Sequence, residues 1–200
     1  MNAPECLRPG GLALTAELVQ LAELTPSAEL LDAGCGAGRA VGWLREQGFA
    51  AWGVDQAYLG EEEWLIRGDM TALPWPDGSF DGYLAECSLS VCQDAAQALA
   101  EAYRVLRPGG WLLVSDVCCT SARGPAFSLG EAATMDAWRR LVQAAGFDKV
   151  QCRDRTALWK PFVLEAIWAG LDPADWWCGL APQETGGALG YLLLCGRKLS

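Results

Sequence analysis

Short apolar runs alternate with amphipathic ones along most of this chain. Leu30 to Ala33, Ala51 to Val54, Trp64 to Arg67, Phe80 to Leu84 and Trp111 to Ser115 read as strands. Between them, Leu12 to Leu24 carries Leu14, Leu18 and Leu21 at helical spacing, and Arg39 to Gln47 is a helix closed by Gly48. Gln93 to Val105 is a helix stopped by Arg107-Pro-Gly-Gly110, and Glu131 to Ala145 is one closed by Gly146. Phe147 to Arg153 and Ala188 to Arg197 supply two further strands, and Pro161 puts the start of the helix within Thr156 to Ala169 near itself. Leu73-Pro-Trp-Pro-Asp-Gly-Ser79 and the small, polar Cys118 to Gly130 segment read as loops, and Leu171 to Gly187 is irregular and rich in Trp. Strands alternating with helices predict an α/β, three-layer sandwich with helices on both faces of the sheet.

The stretch Glu29-Leu-Leu-Asp-Ala-Gly-Cys-Gly-Ala-Gly-Arg39 adds chemistry to this pattern. An apolar run ends in Asp32, and Gly34, Gly36 and Gly38 follow at alternate positions before a helix. A strand that breaks into a glycine turn and then a helix brings backbone N–H groups close to whatever binds there. The next apolar run also ends in an acid, Asp55. Strand, glycine loop, helix, strand, acid is the plan of a nucleoside-binding α/β unit. A nicotinamide dehydrogenase would read Gly-x-Gly-x-x-Gly, whereas position 39 is Arg and the loop reads Gly-x-Gly-x-Gly.

Charge and composition narrow the chemistry. The net charge of −10 opposes a polyanionic partner, because phosphate backbones are held by Lys and Arg. No apolar run is long enough for a membrane span, and the first residues lack the pattern of a secretion signal, so a cytoplasmic protein is expected. Nine cysteines without a Cys-x-x-Cys pair predict neither a disulfide framework nor a structural metal, and no metal site is expected. Histidine is absent, which removes Ser-His-Asp and Cys-His systems and His general bases. Chemistry here rests on carboxylates, Tyr, thiols or a cofactor that carries its own reactivity.

Five segments, in order, resemble the class I S-adenosylmethionine-dependent methyltransferases: Leu31-Asp-Ala-Gly-Cys-Gly-Ala-Gly38, Gly53-Val-Asp55, Gly68-Asp69-Met70, Leu73-Pro-Trp-Pro-Asp-Gly-Ser-Phe-Asp81 and Arg104-Val-Leu-Arg-Pro-Gly-Gly110. The likeness covers about residues 28 to 116 and extends weakly to Gly190 to Lys198. It implies one Rossmann-like domain over 1–200, with a seven-stranded, mostly parallel sheet and an antiparallel last strand. Within it, 28–116 is the cofactor-binding core and 118–187 supplies acceptor-side elements. The implied cofactor is S-adenosylmethionine, with S-adenosylhomocysteine as product. Gly34, Gly36 and Gly38, with Cys35 among them, pass near its methionine part, and Asp32 fixes the loop and its amino end. Asp55 takes the ribose hydroxyls, Gln56 and Met70 flank adenine, and Asp69 accepts from the exocyclic amine. Glu86 and Cys87 border the methyl and amino groups. The plainer roles are a helix cap for such an acid and core filling for Met70.

For the acceptor, Glu86-Cys-Ser-Leu89 stands where base and glutamine methylating enzymes carry an Asn/Asp-Pro-Pro-Tyr pattern, and no Pro-Cys nucleophile is present. A small-molecule acceptor, no nucleic acid and no membrane are therefore expected, while oligomeric state is open. The chain is similar to quinone-biosynthesis and arsenite methyltransferases. An arsenite enzyme would recruit Cys87 with Cys92, Cys118 and Cys119; the alternative for Cys87 is a small pocket-lining residue. A non-catalytic cofactor-binding scaffold is the second alternative. Glu86 and Asp116 are the candidate bases, followed by Tyr58 and Tyr83. Pocket walls are expected from Leu7 to Leu14, the 118–130 loop and the 157–187 insertion, where Trp159, Phe162, Trp168, Trp176 and Trp177 either anchor a helix or line an apolar pocket.

Overall fold

The computed structural model describes residues 8–122, 127–129, 133–168, 170 and 189–199. Leu7, Trp176, Trp177 and the rest of the 171–187 segment lie outside the described residues. In chain order the elements are α1 (Gly11–Leu21), β1 (Glu29–Ala33), α2 (Arg39–Glu46), β2 (Ala50–Asp55), β3 (Leu65–Arg67), β4 (Phe80–Glu86), α3 (Ala95–Val105), β5 (Leu106–Cys119), α4 (Met135–Ala144), β6 (Asp148–Asp154), α5 (Trp159–Trp168) and β7 (Leu189–Arg197).

One seven-stranded sheet has the order β3-β2-β1-β4-β5-β7-β6. Pairings among β1 to β5 are parallel, and β7 runs antiparallel between β5 and β6, so the last strand is the reversed one as expected. The order reverses between β1 and β4. In open α/β sheets a crevice forms there, beyond the carboxyl ends of the strands.

Alternation along the central strands feeds two cores, one per sheet face. Leu30, Leu84, Leu113 and Leu193 pack with Leu14 and Leu18 of α1, Val41 and Leu44 of α2 and Phe162 of α5. Leu31, Tyr83, Leu112 and Leu194 face Leu99 and Ala102 of α3 and Trp138 and Val142 of α4. Each fully buried Leu stabilises the fold by about 1.5–3 kcal/mol through apolar surface removed from water. Trp138 is fully buried, and its Nε1–H donates to the Val117 carbonyl at 2.9 Å, which ties α4 to β5. The Asp94 and Thr134 side chains cap α3 and α4 by accepting from the Gln97 and Ala137 N–H groups.

Two expectations need correction. Cys118 and Cys119 are strand, not loop, because β5 is held to its end by β7, with Cys119 opposite Leu189. Arg107-Pro-Gly-Gly110 ends α3 but lies within β5: Leu106 pairs with Phe80, and Gly109 donates to the Lys198 carbonyl while Lys198 donates to that of Gly110. As expected from Pro161, helix α5 starts close to it, at Trp159, with the proline in the first turn, where a missing N–H costs nothing. Trp159 and Phe162 stack at 6.4 Å against the sheet, as helix anchors do, whereas Trp168 is 79% exposed.

Candidate cofactor site

A cavity of about 390 Å³ opens at the carboxyl ends of β1, β2 and β4. Of the expected residues, Gly34, Asp55, Gln56, Met70 and Cys87 line it, together with Ala57, Ser88, Val91, Cys92 and Gln93. Asp32, Cys35, Gly36, Gly38, Asp69 and Glu86 lie outside its lining. Ala57, Ser88, Val91 and Gln93 carry no family motif, so sequence reasoning passes over them, and it marks Cys92 only as a thiol.

The three loop glycines all have positive φ but serve different needs. A Cβ on Gly34 (φ 79°) would lie 2.3 Å from the Ser88 Cβ, so this glycine lets the first loop touch the loop after β4. The Ser88 hydroxyl donates to the Ala33 carbonyl at 2.8 Å and seals that contact. A Cβ on Gly38 (φ 77°) would lie 2.3 Å from Leu65, so this glycine packs α2 against β3. Gly36 (φ 54°) faces open space, and a Cβ there would meet nothing within 4 Å.

Asp55 is the best organised polar group at the rim. Its Oδ2 accepts from the Gly36 N–H and its Oδ1 from the Ala57 N–H, each at 2.8 Å. Both oxygens keep a lone pair, so the carboxylate is fixed in orientation yet still able to accept from two neighbouring hydroxyls. Asp69 accepts from the Thr71 N–H and hydroxyl at 2.8 and 2.7 Å. Those bonds, with one from the Gln56 side chain, hold its carboxyl below the usual range. Asp69 thereby orients Gln56, which faces the cavity.

A third carboxylate layer lies beneath. Asp32 pairs in register with Gly53 of β2 and Leu84 of β4, so Asp55 and Glu86 are its diagonal neighbours on the same sheet face. Burial, then the Glu86 charge, pushes Asp32 up to about 7, with Arg8 opposing and Asp55 adding to the rise. Glu86 is also raised by burial, against the pull of Arg8. Its Oε2 lies 2.6 Å from Arg8 Nη1 and accepts from Thr15 at 3.0 Å, and its Oε1 accepts from Ser115 at 3.2 Å. Arg8 thus holds Glu86 with no motif to announce it.

The candidate bases separate across the sheet. Glu86 is engaged by Arg8, while Asp116 lies on the α3/α4 face, fully buried, accepting from the Ser90 N–H and hydroxyl at 3.1 and 2.6 Å. Asp116 anchors the loop after β4 from below. Tyr83 is fully buried, and the Tyr58 hydroxyl braces its own loop by accepting from the Glu62 N–H at 3.0 Å. Cys87, at φ 56°, lies 2.9 Å from the Tyr191 hydroxyl, and burial pushes its thiol well up, so it stays protonated as a wall residue. Cys118 and Cys119 are buried in β5. Among the described residues, no group of three or more His, Cys, Asp or Glu could hold a metal ion.

Residues 31–114, which hold the glycine loop and these acids, match a methyltransferase domain. That match spans under half of the chain, and together with the relatives and structural neighbours it supports a class I S-adenosylmethionine-dependent methyltransferase. Among methyltransferases it is similar to malonyl-[acyl-carrier protein] O-methyltransferase of Serratia marcescens, with 35% identity over 124 residues, 58% of this chain and 45% of that protein. It is also 26% identical over 167 residues to phosphoethanolamine N-methyltransferase 3 of Arabidopsis thaliana, covering 74% of this chain and 34% of that protein. The chain thus spans less than half the length of these relatives. In fold it resembles the [4+2]-cyclase SpnF (TM-score 0.77, 24% identity, 94% of this chain and 80% of that one). It also resembles a phosphoethanolamine N-methyltransferase 2 of Haemonchus contortus bound to S-adenosylhomocysteine (TM-score 0.72, 16% identity, 96% and 54%).

Proposed function

We propose that this domain binds S-adenosylmethionine in the β1/β4 cavity and transfers its methyl group to a small-molecule acceptor. One observation carries the reading: Asp55, held by the Gly36 and Ala57 N–H groups, stands at the rim of a nucleoside-sized cavity at the point where strand order reverses. The donor set fits the cofactor, with a fixed carboxylate for vicinal hydroxyls, an amide and a thioether for a purine face, and a buried acid for an ammonium group. When bound, the cofactor supplies a methyl group already activated on a sulfonium.

The chain's own task is placement. Asp55 orients the nucleoside, Gln56 and Met70 flank the base, and Asp69 accepts at its amino edge. Asp32 and Cys87 bound the amino-acid and methyl ends. Holding the acceptor in line with the sulfonium supplies much of the rate, without an ionised base at the cavity floor. Relatives named for a carboxyl acceptor and an amine acceptor support a small acceptor. The net charge of −10 supports the absence of a nucleic-acid partner. No described helix is long and apolar enough to cross a membrane. The reading takes 1–200 as one cytoplasmic domain.

The test is methyl transfer from labelled S-adenosylmethionine to the small-molecule fraction of a cell extract, with products identified by mass. A labelled small product is expected. Tight cofactor binding with no labelled product in any fraction would instead favour a binding scaffold.

A further inference from the structure

Glu86 ends β4 beside the cavity, yet its carboxylate is turned to Arg8 rather than to solvent. The Glu86 side chain is 2% exposed and the Arg8 guanidinium, 2.6 Å away, 10% exposed. Arg8 lies in the Arg8-Pro9-Gly10 lead into α1, and it also donates to the Thr15 hydroxyl, which donates to the same Glu86 oxygen. The pair therefore joins residues 78 positions apart through α1. On the other side, Glu86 accepts from Ser115, whose hydroxyl also accepts from Tyr191, the partner of cavity-lining Cys87. A continuous polar chain runs from Arg8 to the cavity wall.

The setting makes this expensive to break. Removing one partner of a buried ion pair strands a charge without water, and that penalty usually exceeds the value of the pair itself. Two further carboxylates, Asp32 and Asp55, lie on the same sheet face, and Cys35 adjoins them in the loop. Glu86 without Arg8 would add a third negative charge to that face.

We propose that Arg8 and Glu86 form a charge-neutral clamp that fastens the lead into α1 over the amino-acid end of the cofactor cavity and sets the charge that Asp32 faces. Both are positioning residues, and Glu86 serves as no base. The inference rests on the cofactor reading above only where binding is measured. Its physical basis is that a neutral Glu86–Arg8 pair leaves Asp32 free to ionise toward a bound ammonium group, whereas either charge alone biases it.

Three variants test it: Glu86→Gln, Arg8→Met and the double variant, which removes both charges at nearly constant size. Thermal unfolding of the free protein is measured first. The clamp predicts that each single variant loses stability and that the double loses clearly less than the sum of the two. Additive losses would overturn the clamp, and this arm needs no cofactor. S-adenosylhomocysteine affinity is then followed calorimetrically from about pH 6 to about pH 8.5, a window set by the Asp32 value of about 7. Wild type should bind ~10-fold tighter at the upper end. In Glu86→Gln the lone Arg8 cation keeps Asp32 ionised, so that ratio should fall to ~2-fold, and it should return toward wild type in the double variant. An unchanged ratio in Glu86→Gln would overturn the control of Asp32. Absence of any wild-type binding would overturn the cofactor reading while the unfolding arm still judges the clamp.

Discussion

The two ends of the parallel sheet carry hollows of opposite character. At the amino ends, a space of about 560 Å³ is walled by residues such as Thr25, Ser27, Arg107, Gly110 and Arg197. It is larger than the 390 Å³ cavity at the carboxyl ends. Its two arginines are already engaged: Arg107 bridges Glu29 and Asp81, and Arg197 donates to the Gly109 carbonyl while stacking over Trp111. At the carboxyl end, three carboxylates share one sheet face beside a glycine loop, and Asp55 keeps acceptor capacity directed outward. Size therefore does not mark the site; unneutralised, rigidly oriented polar groups at the strand-order reversal do.

The largest expected effects separate glycines that pack from the one that opens. Gly38→Ala and Gly34→Ala combine a left-handed backbone with contacts of 2.3 Å to Leu65 and Ser88. Each should cost about 2–4 kcal/mol and lower Tm by roughly 5–15 °C in a thermal scan. Gly36→Ala meets only the backbone penalty of about 1–2 kcal/mol. Its Tm should fall by about half as much as that of Gly38→Ala, while its cofactor affinity drops because the strained loop disturbs the Gly36 N–H that holds Asp55. Equal Tm losses for the two would erase the distinction between packing and opening glycines.

The buried acids set the carboxyl end apart through pH. Burial raises Asp32 to about 7 and Asp116 to about 6 from 3.8. A carboxyl raised on folding holds its proton more tightly in the folded chain, so the folded state is favoured at low pH. Stability should therefore decline as pH rises from about 4 toward about 7, and level off above. Asp69, Glu101 and Asp154 are lowered and act in the opposite sense only below that window. In thermal scans across the window, Asp32→Asn should flatten the decline; an unchanged slope would show that Asp32 is not its source.

The smallest effect belongs to the amino end. Arg107→Met breaks half-exposed ion pairs worth about 0–1 kcal/mol each, and S-adenosylhomocysteine affinity should stay within twofold of wild type. A large loss of affinity there would make the two ends functionally alike.

Much of the carboxyl end was legible in sequence because its parts are local. Asp32 and Asp55 end their own strands, and Gly34 to Gly38 make their turn within five residues. What stayed hidden depends on distant partners. Cys118 and Cys119 read as loop because their strand character comes from β7, some seventy residues later. Arg8 carries no motif, and its meaning arises only when α1 packs beside β4. Glu86 and Asp116 looked equivalent as acids near strand ends, but the alternation of β5 sends Asp116 to the opposite sheet face. The Gly34 and Gly38 requirements were visible as glycines, while their causes, Ser88 and Leu65, lie on other elements.

Asp55 as the mark of a nucleoside-cofactor site is the point on which the functional reading turns. Calorimetric titration of S-adenosylhomocysteine into wild type and Asp55→Ala addresses it, with Asp55→Asn as the size-preserving control. Wild type should bind, and Asp55→Ala should lose about 100-fold in affinity, the worth of roughly two hydrogen bonds to a charged acceptor. Equal affinities in the two proteins, or no binding to wild type, would contradict it.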